Sequence, residues 1–265
     1  MVSPSQPDEN PPDAESVLSA RADHSVPEAG VPSPGVRMSG RTWAIVLMAG
    51  VVAGVGSRLA TEGVLKAYEP SLRPRMKPIP TLEDARQVWL AQVASGTAAV
   101  GAMGGLLGLV FGLAGGASRR SVQAAGMAGA VGLVAGSAVV AGVARAVLPV
   151  IYMRLDPQSH DLLIPLVYHE GLWSIAGALG GLAFGIGAGG RGLWKRTAIG
   201  GWVGAALATV VYELVGALAF PTHQAQYPLP GSTQTRALAH FLVAIGAAIG
   251  MLVAAGNPVG KTATG

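Results

Sequence analysis

Cysteine is absent from these 265 residues, charged side chains make up only 12% of them and aromatic ones only 5%. Without cysteine there is no disulfide framework, no thiolate nucleophile and no Cys-ligated zinc or iron–sulfur centre. Soluble domains carry about 25% charged residues, so a chain with half that share is too poor in charge for an ordinary water-soluble fold. A basic patch interleaved with aromatics, the footprint of RNA or DNA binding, is also missing, and no nucleic-acid partner is expected. No Gly-x-Ser-x-Gly elbow occurs, and no pair of carboxylates lies within an apolar run. The segment from Gly256 to Thr262 has the glycines and Gly-Lys-Thr of a phosphate loop, but three residues separate the glycines where four are needed. No strand precedes it and no helix follows to offer its N-terminus to phosphate, so no cofactor is expected.

What is present is apolar and small. Hydrophobic residues reach 51% and glycine alone counts 39. In a water-exposed helix each glycine costs roughly 1 kcal/mol relative to alanine, whereas membrane helices use glycine to bring backbones together. A helix crossing the hydrocarbon needs about 20 apolar residues. Six stretches qualify, near 42–60, 93–116, 122–148, 171–190, 197–219 and 237–255. The expected fold is therefore an all-α integral membrane protein, a bundle of six transmembrane helices whose first partner is the lipid bilayer.

Residues 1–40 differ in kind. They hold Asp8, Glu9, Asp13, Glu15, Asp23 and Glu28 against Arg21 and Arg37, a net charge of −4. They are rich in proline and serine, lack apolar periodicity and cannot bury enough surface to offset ordering entropy, so a disordered tail is expected. The net +4 of the whole chain thus leaves +8 on residues 41–265. Arg37 and Arg41, Arg119 and Arg120, Arg191, Lys195 and Arg196, and Lys261 lie in or beside the short connections. The positive-inside rule then places those connections and both termini in the cytoplasm. Arginine outnumbers lysine by 14 to 4, which suggests a GC-rich bacterial genome and hence a plasma membrane. In the loop before the second span, Thr81 and Asp84 have the spacing of a capping box, so that helix should begin outside the hydrocarbon. Trp89 and Trp173 are expected as outer interfacial anchors for the second and fourth spans.

The glycines are ordered. Gly104, Gly108, Gly112 and Gly116 recur every four residues in the second span, and Gly177, Gly181, Gly185 and Gly189 in the fourth, with an offset of 73 that also superposes Phe111 on Phe184. Arg41-Thr42, Arg120-Ser121 and Arg196-Thr197 enter the odd spans alike. These matches predict three tandem two-helix hairpin repeats, about 41–119, 120–195 and 196–265, related by an axis along the membrane normal. Mitochondrial carriers share that count, but their Pro-x-acid-x-x-base signature is absent after Pro70, Pro149 and Pro221. Small-xxx-small stripes drive close helix contact, expected here as packing within the chain, with a homo-oligomer, association with other membrane subunits or a pore lining as the alternatives.

Few side chains here can carry chemistry. Arg58 and Glu213 fall at matching depth near the outer ends of the first and fifth spans and are expected to pair, because ionisable groups in a membrane seek partners. His160, Asp161, His169 and Glu170 cluster in the second outer loop, where imidazole and carboxylate suit a divalent metal or acid–base chemistry. Two functional readings result: a non-enzymatic transport component or packing subunit of a membrane complex, and a membrane enzyme or metal-binding protein with its site at the outer face.

Overall fold

In hydrocarbon every backbone N–H and C=O must be satisfied within the segment, so apolar runs of this length fold as helices. The computed structural model describes residues 39–72, 81–154, 163–190, 192–219 and 229–256. Among these the fold is entirely helical: α1 Gly40–Leu72, α2 Leu82–Ser118, α3 Val122–Arg154, α4 Leu163–Ala188, α5 Leu193–Ala219 and α6 Thr233–Gly256. All six are long and apolar enough to cross a membrane. The chain is a multi-pass helical membrane protein. The acidic tail, the Gly-Lys-Thr segment, His160 and Asp161 lie outside the described residues.

The helices outrun the apolar stretches. α2 has 37 residues and is thus about 55 Å long, well beyond a hydrocarbon core of about 30 Å. Its start is the capping box expected from sequence: Asp84 N donates to Thr81 Oγ1 at 3.2 Å and Thr81 N to Asp84 Oδ2 at 2.9 Å. Thr81→Ala should cost about 1 kcal/mol of local stability, read as an about five-fold faster hydrogen exchange of the Asp84 amide; unchanged exchange would show that the cap is idle. α4 begins eight residues before the apolar run, at Leu163. Pro165 does not prevent this, since N–H groups of a first turn have no helical partner to lose.

Packing follows the small residues. A Cβ on Gly104, Gly108 or Gly112 would come closer than 3.0 Å to backbone atoms of Gly136, Gly132 or Ala128, and one on Gly116 would strike Ala125. The α2 stripe therefore seats α3 backbone to backbone. On α4, Gly177 and Gly181 press on Gly201 and Thr197 of α5, and Gly185 on Trp194. The last glycine of that stripe departs from the expectation: Gly189 follows the final residue of α4 with φ +68° and faces the Arg119 side chain, ending the helix instead of packing it. α5 meets α6 the same way, Gly200 on Gly250 and Gly204 on Gly246. Without a hydrophobic force between helices in lipid, this close van der Waals contact is what holds them.

Each odd helix lies between two even ones: α3 packs on α2 and α4, α5 on α4 and α6, and α1 on α2 and α6, closing the circuit. The even helices form the interior, with 67%, 61% and 44% of the most apolar stretch of α2, α4 and α6 buried against 39%, 28% and 33% for α1, α3 and α5. Phe111 and Phe184 are fully buried there. The most extensive contact is α2 with α3, and the glycine stripes fasten helices both across the short basic links, α2 to α3 and α4 to α5, and across the longer connection from α5 to α6.

Candidate functional site

The α4 stripe continues past its glycines toward the start of the helix. Counting back by four from Gly177 gives Trp173 and His169, and counting forward along α5 from Gly201 gives Ala205, Thr209 and Glu213. Because the glycines draw the two antiparallel backbones together, the side chains that end the stripes meet. His169 Nδ1–H donates to Glu213 Oε1 at 2.5 Å. The pair is buried, His169 being 0% exposed and Glu213 7%. Glu213 lies 16 residues beyond Thr197, about 24 Å along the helix and so near one edge of the hydrocarbon.

Aromatic rings close around the imidazole. Trp173 stacks on it with centroids 4.2 Å apart, and the rings of Tyr168 and Tyr212 approach edge-on at 4.4 and 5.8 Å. Trp173 is 3% exposed and is part of this box; it is not an interfacial anchor, because stripe spacing turns it toward α5. With Nδ1 committed to the carboxylate, the second ring nitrogen carries the lone pair of a neutral histidine or the second proton of an imidazolium. That atom, Nε2, is buried without a hydrogen-bond partner. Beside Tyr168 an apolar groove of about 390 Å³ opens between α3 and α4, lined by Val143, Val147, Ile151, Leu163, Ile164 and Val167 among others.

No known protein family, curated protein or solved structure matches this chain. Its site is therefore read from its own residues.

Several expected site residues stand elsewhere than the sequence suggested. Glu213 pairs with His169, and among the described residues no ion pair joins it to Arg58. The reason is topological: α1 packs on α2 and α6 and presents Arg58 to that side, whereas Glu213 faces α4. His169 and Glu170 are not loop residues but sit in the second turn of α4. They are adjacent and point apart, as α-helical spacing requires, with Glu170 Oε2 buried and unpartnered. Among the described residues no three His, Asp or Glu side chains converge as a metal ligand set. His160 and Asp161 lie outside those residues.

A second histidine has an analogous place. His240 of α6 donates from Nδ1 to Ser57 Oγ of α1 at 3.0 Å, while the Ser57 hydroxyl donates to Gly54 O at 3.2 Å. Below it Gly50 and Gly54 take the backbone and side chains of α6. Two of the three seams that join an even helix to the odd helix following it in the circuit thus end at a histidine. The α2–α3 seam ends at Gly96, filled by Leu148 and Tyr152. Sequence reading missed both pairs, though the signal existed: each histidine sits on the line of a small-residue stripe.

Proposed function

We propose that the chain is a non-enzymatic transport component of a bacterial plasma membrane, with both termini cytoplasmic, and that His169 and Glu213 are its proton-exchanging site. The observation that carries this is a histidine–carboxylate pair buried inside an apolar six-helix bundle with one imidazole nitrogen unpartnered. Charge in such surroundings is costly, and intramembrane His and Glu commonly belong to proton relays. Histidine is the side chain whose ordinary proton exchange falls in the physiological range, and a carboxylate on one ring nitrogen fixes the orientation of the ring and leaves the other nitrogen to exchange. Three tandem two-helix repeats are part of the same reading, supported by the matching entry residues, the 73-residue offset and the place of each odd helix between two even ones. Departure of α6 from the pattern, with only Gly246 and Gly250, suits a last repeat that must close on α1.

Proteoliposomes holding the purified chain and a trapped pH dye test this under a potassium diffusion potential. Wild type should acidify or alkalinise the lumen faster than empty vesicles, and His169→Gln and Glu213→Gln should each slow the flux at least ten-fold while remaining folded. Flux equal to that of empty vesicles, or unaltered in both variants, would remove the transport reading. Stoichiometric metal in the purified chain that is lost in His169→Ala and Glu170→Ala would instead favour the metal-binding alternative.

A further inference from the structure

Among the described residues, the seam between the first and last helices holds a cation with no ion-pair partner. Arg236 of α6 grips both carboxylate oxygens of Glu62 on α1, Nε to Oε1 at 2.8 Å and Nη2 to Oε2 at 3.2 Å. Its Nη1 donates to the carbonyls of Pro230 and Gly231 at 2.9 and 3.1 Å, and Nη2 also reaches Thr233 Oγ1 at 3.4 Å. Arg236 and Glu62 thus satisfy each other. Arg58 lies one turn before Glu62 on the same helix face and belongs to the same group of charges, since Arg236, Glu62 and Arg58 are those that act on His240. No ion pair joins Arg58 to a carboxylate of the described residues. Its Nε is buried without a hydrogen-bond partner, and so is the hydroxyl of Thr61, a residue only 1% exposed.

We propose that Arg58 and Thr61 form a binding site for a phosphate-class oxyanion at the outer end of the α1–α6 seam. A guanidinium presents paired N–H donors that match the oxygens of phosphate, and a threonine hydroxyl adds a third donor from the next turn. Leaving such groups unsatisfied is costly, and an oxyanion removes that cost. The Nδ1 of His240 is occupied by its bond to Ser57 Oγ. The depth agrees: Arg58 lies 17 residues beyond Arg41, about 25 Å along α1. In a core about 30 Å thick this puts its backbone within about one turn of the far boundary, and the long arginine side chain reaches from there to the level of lipid phosphates and aqueous anions. The site is separate from the His169–Glu213 pair and does not depend on proton transfer there.

Thermal unfolding of the full chain in neutral detergent provides the test, with dihexanoyl phosphatidylglycerol, dihexanoyl phosphatidylcholine and inorganic phosphate as probes. Saturable stabilisation by phosphatidylglycerol alone assigns the oxyanion to a lipid headgroup; stabilisation by inorganic phosphate as well assigns it to a free anion, and either supports the site. Arg58→Gln should weaken the apparent affinity at least ten-fold, Arg58→Lys less, and Thr61→Val should fall between wild type and Arg58→Gln. No stabilisation by either anion, an equal effect of phosphatidylcholine, or an unchanged affinity in Arg58→Gln overturns the proposal. The wild-type measurements decide even if Arg58→Gln does not fold.

Discussion

Gly108→Ala should unfold or misassemble the bundle, whereas Gly126→Ala and Gly142→Ala, chemically the same substitution in the same membrane domain, should not. At Gly108 the new methyl would meet the carbonyl oxygen, carbonyl carbon and Cα of Gly132, and a methyl on Gly132 would meet the backbone of Gly108 in return. Backbone atoms cannot rotate away as a side chain does. The helices must separate, which forfeits contacts along the whole α2–α3 seam, and overpacking of this kind costs about 1–3 kcal/mol even where neighbours yield. Gly126 and Gly142 have no atom within 4 Å of the position a Cβ would take. There alanine adds its helix preference, about 1 kcal/mol over glycine. The two kinds of variant should therefore shift detergent melting temperatures in opposite directions, with Gly181→Ala, which strikes the Thr197 carbonyl, following Gly108→Ala. A Gly108→Ala protein that melts with or above Gly126→Ala would show that the backbones do not meet there.

His169 and Glu213 should be strongly coupled and Arg58 and Glu213 should not. Removing one member of a buried ionisable pair strands the other, at a cost of about 3 kcal/mol or more. His169→Ala and Glu213→Ala should each lower stability by about that amount. Their combination should cost little more than either alone, because the second substitution removes a group already stranded, giving a coupling of about 2 kcal/mol. Reversing Arg58 to Glu and Glu213 to Arg together should rescue neither single reversal, because the two side chains face different helices. Additive losses for His169 and Glu213, or rescue by the double reversal, would restore the Arg58–Glu213 pairing and dissolve the His169–Glu213 site.

Much of the frame was legible before any contact was known. Spans appear in sequence because hydrocarbon admits only long apolar helices, and the Thr81–Asp84 cap appears because its partners are three residues apart. The glycine stripes were equally visible, since a period of four is local. What they touch was not. Gly104 and Gly177 look alike in sequence, and only packing sends one to Gly136 and the other to Gly201. The Arg58–Glu213 expectation failed for a related reason: equal depth says how far along the membrane normal two residues lie, and nothing about which way each faces. His169 was misread as a loop residue because α4 extends through Pro165 and Glu170, past the point where apolarity alone would begin a helix.

The sequence by itself determined that this chain crosses the membrane repeatedly, which faces of its helices are small enough for backbones to touch, and how few side chains remain to carry charge in the apolar interior. Those properties depend on composition and on spacing within one turn or two. Tertiary structure alone decided that His169 belongs to Glu213, that Arg236 takes Glu62 for itself, and that Arg58 Nε and the Thr61 hydroxyl are buried without hydrogen-bond partners. These outcomes depend on which helix stands beside which, and in a bundle held by van der Waals contact that choice is made by surfaces from distant parts of the chain meeting together.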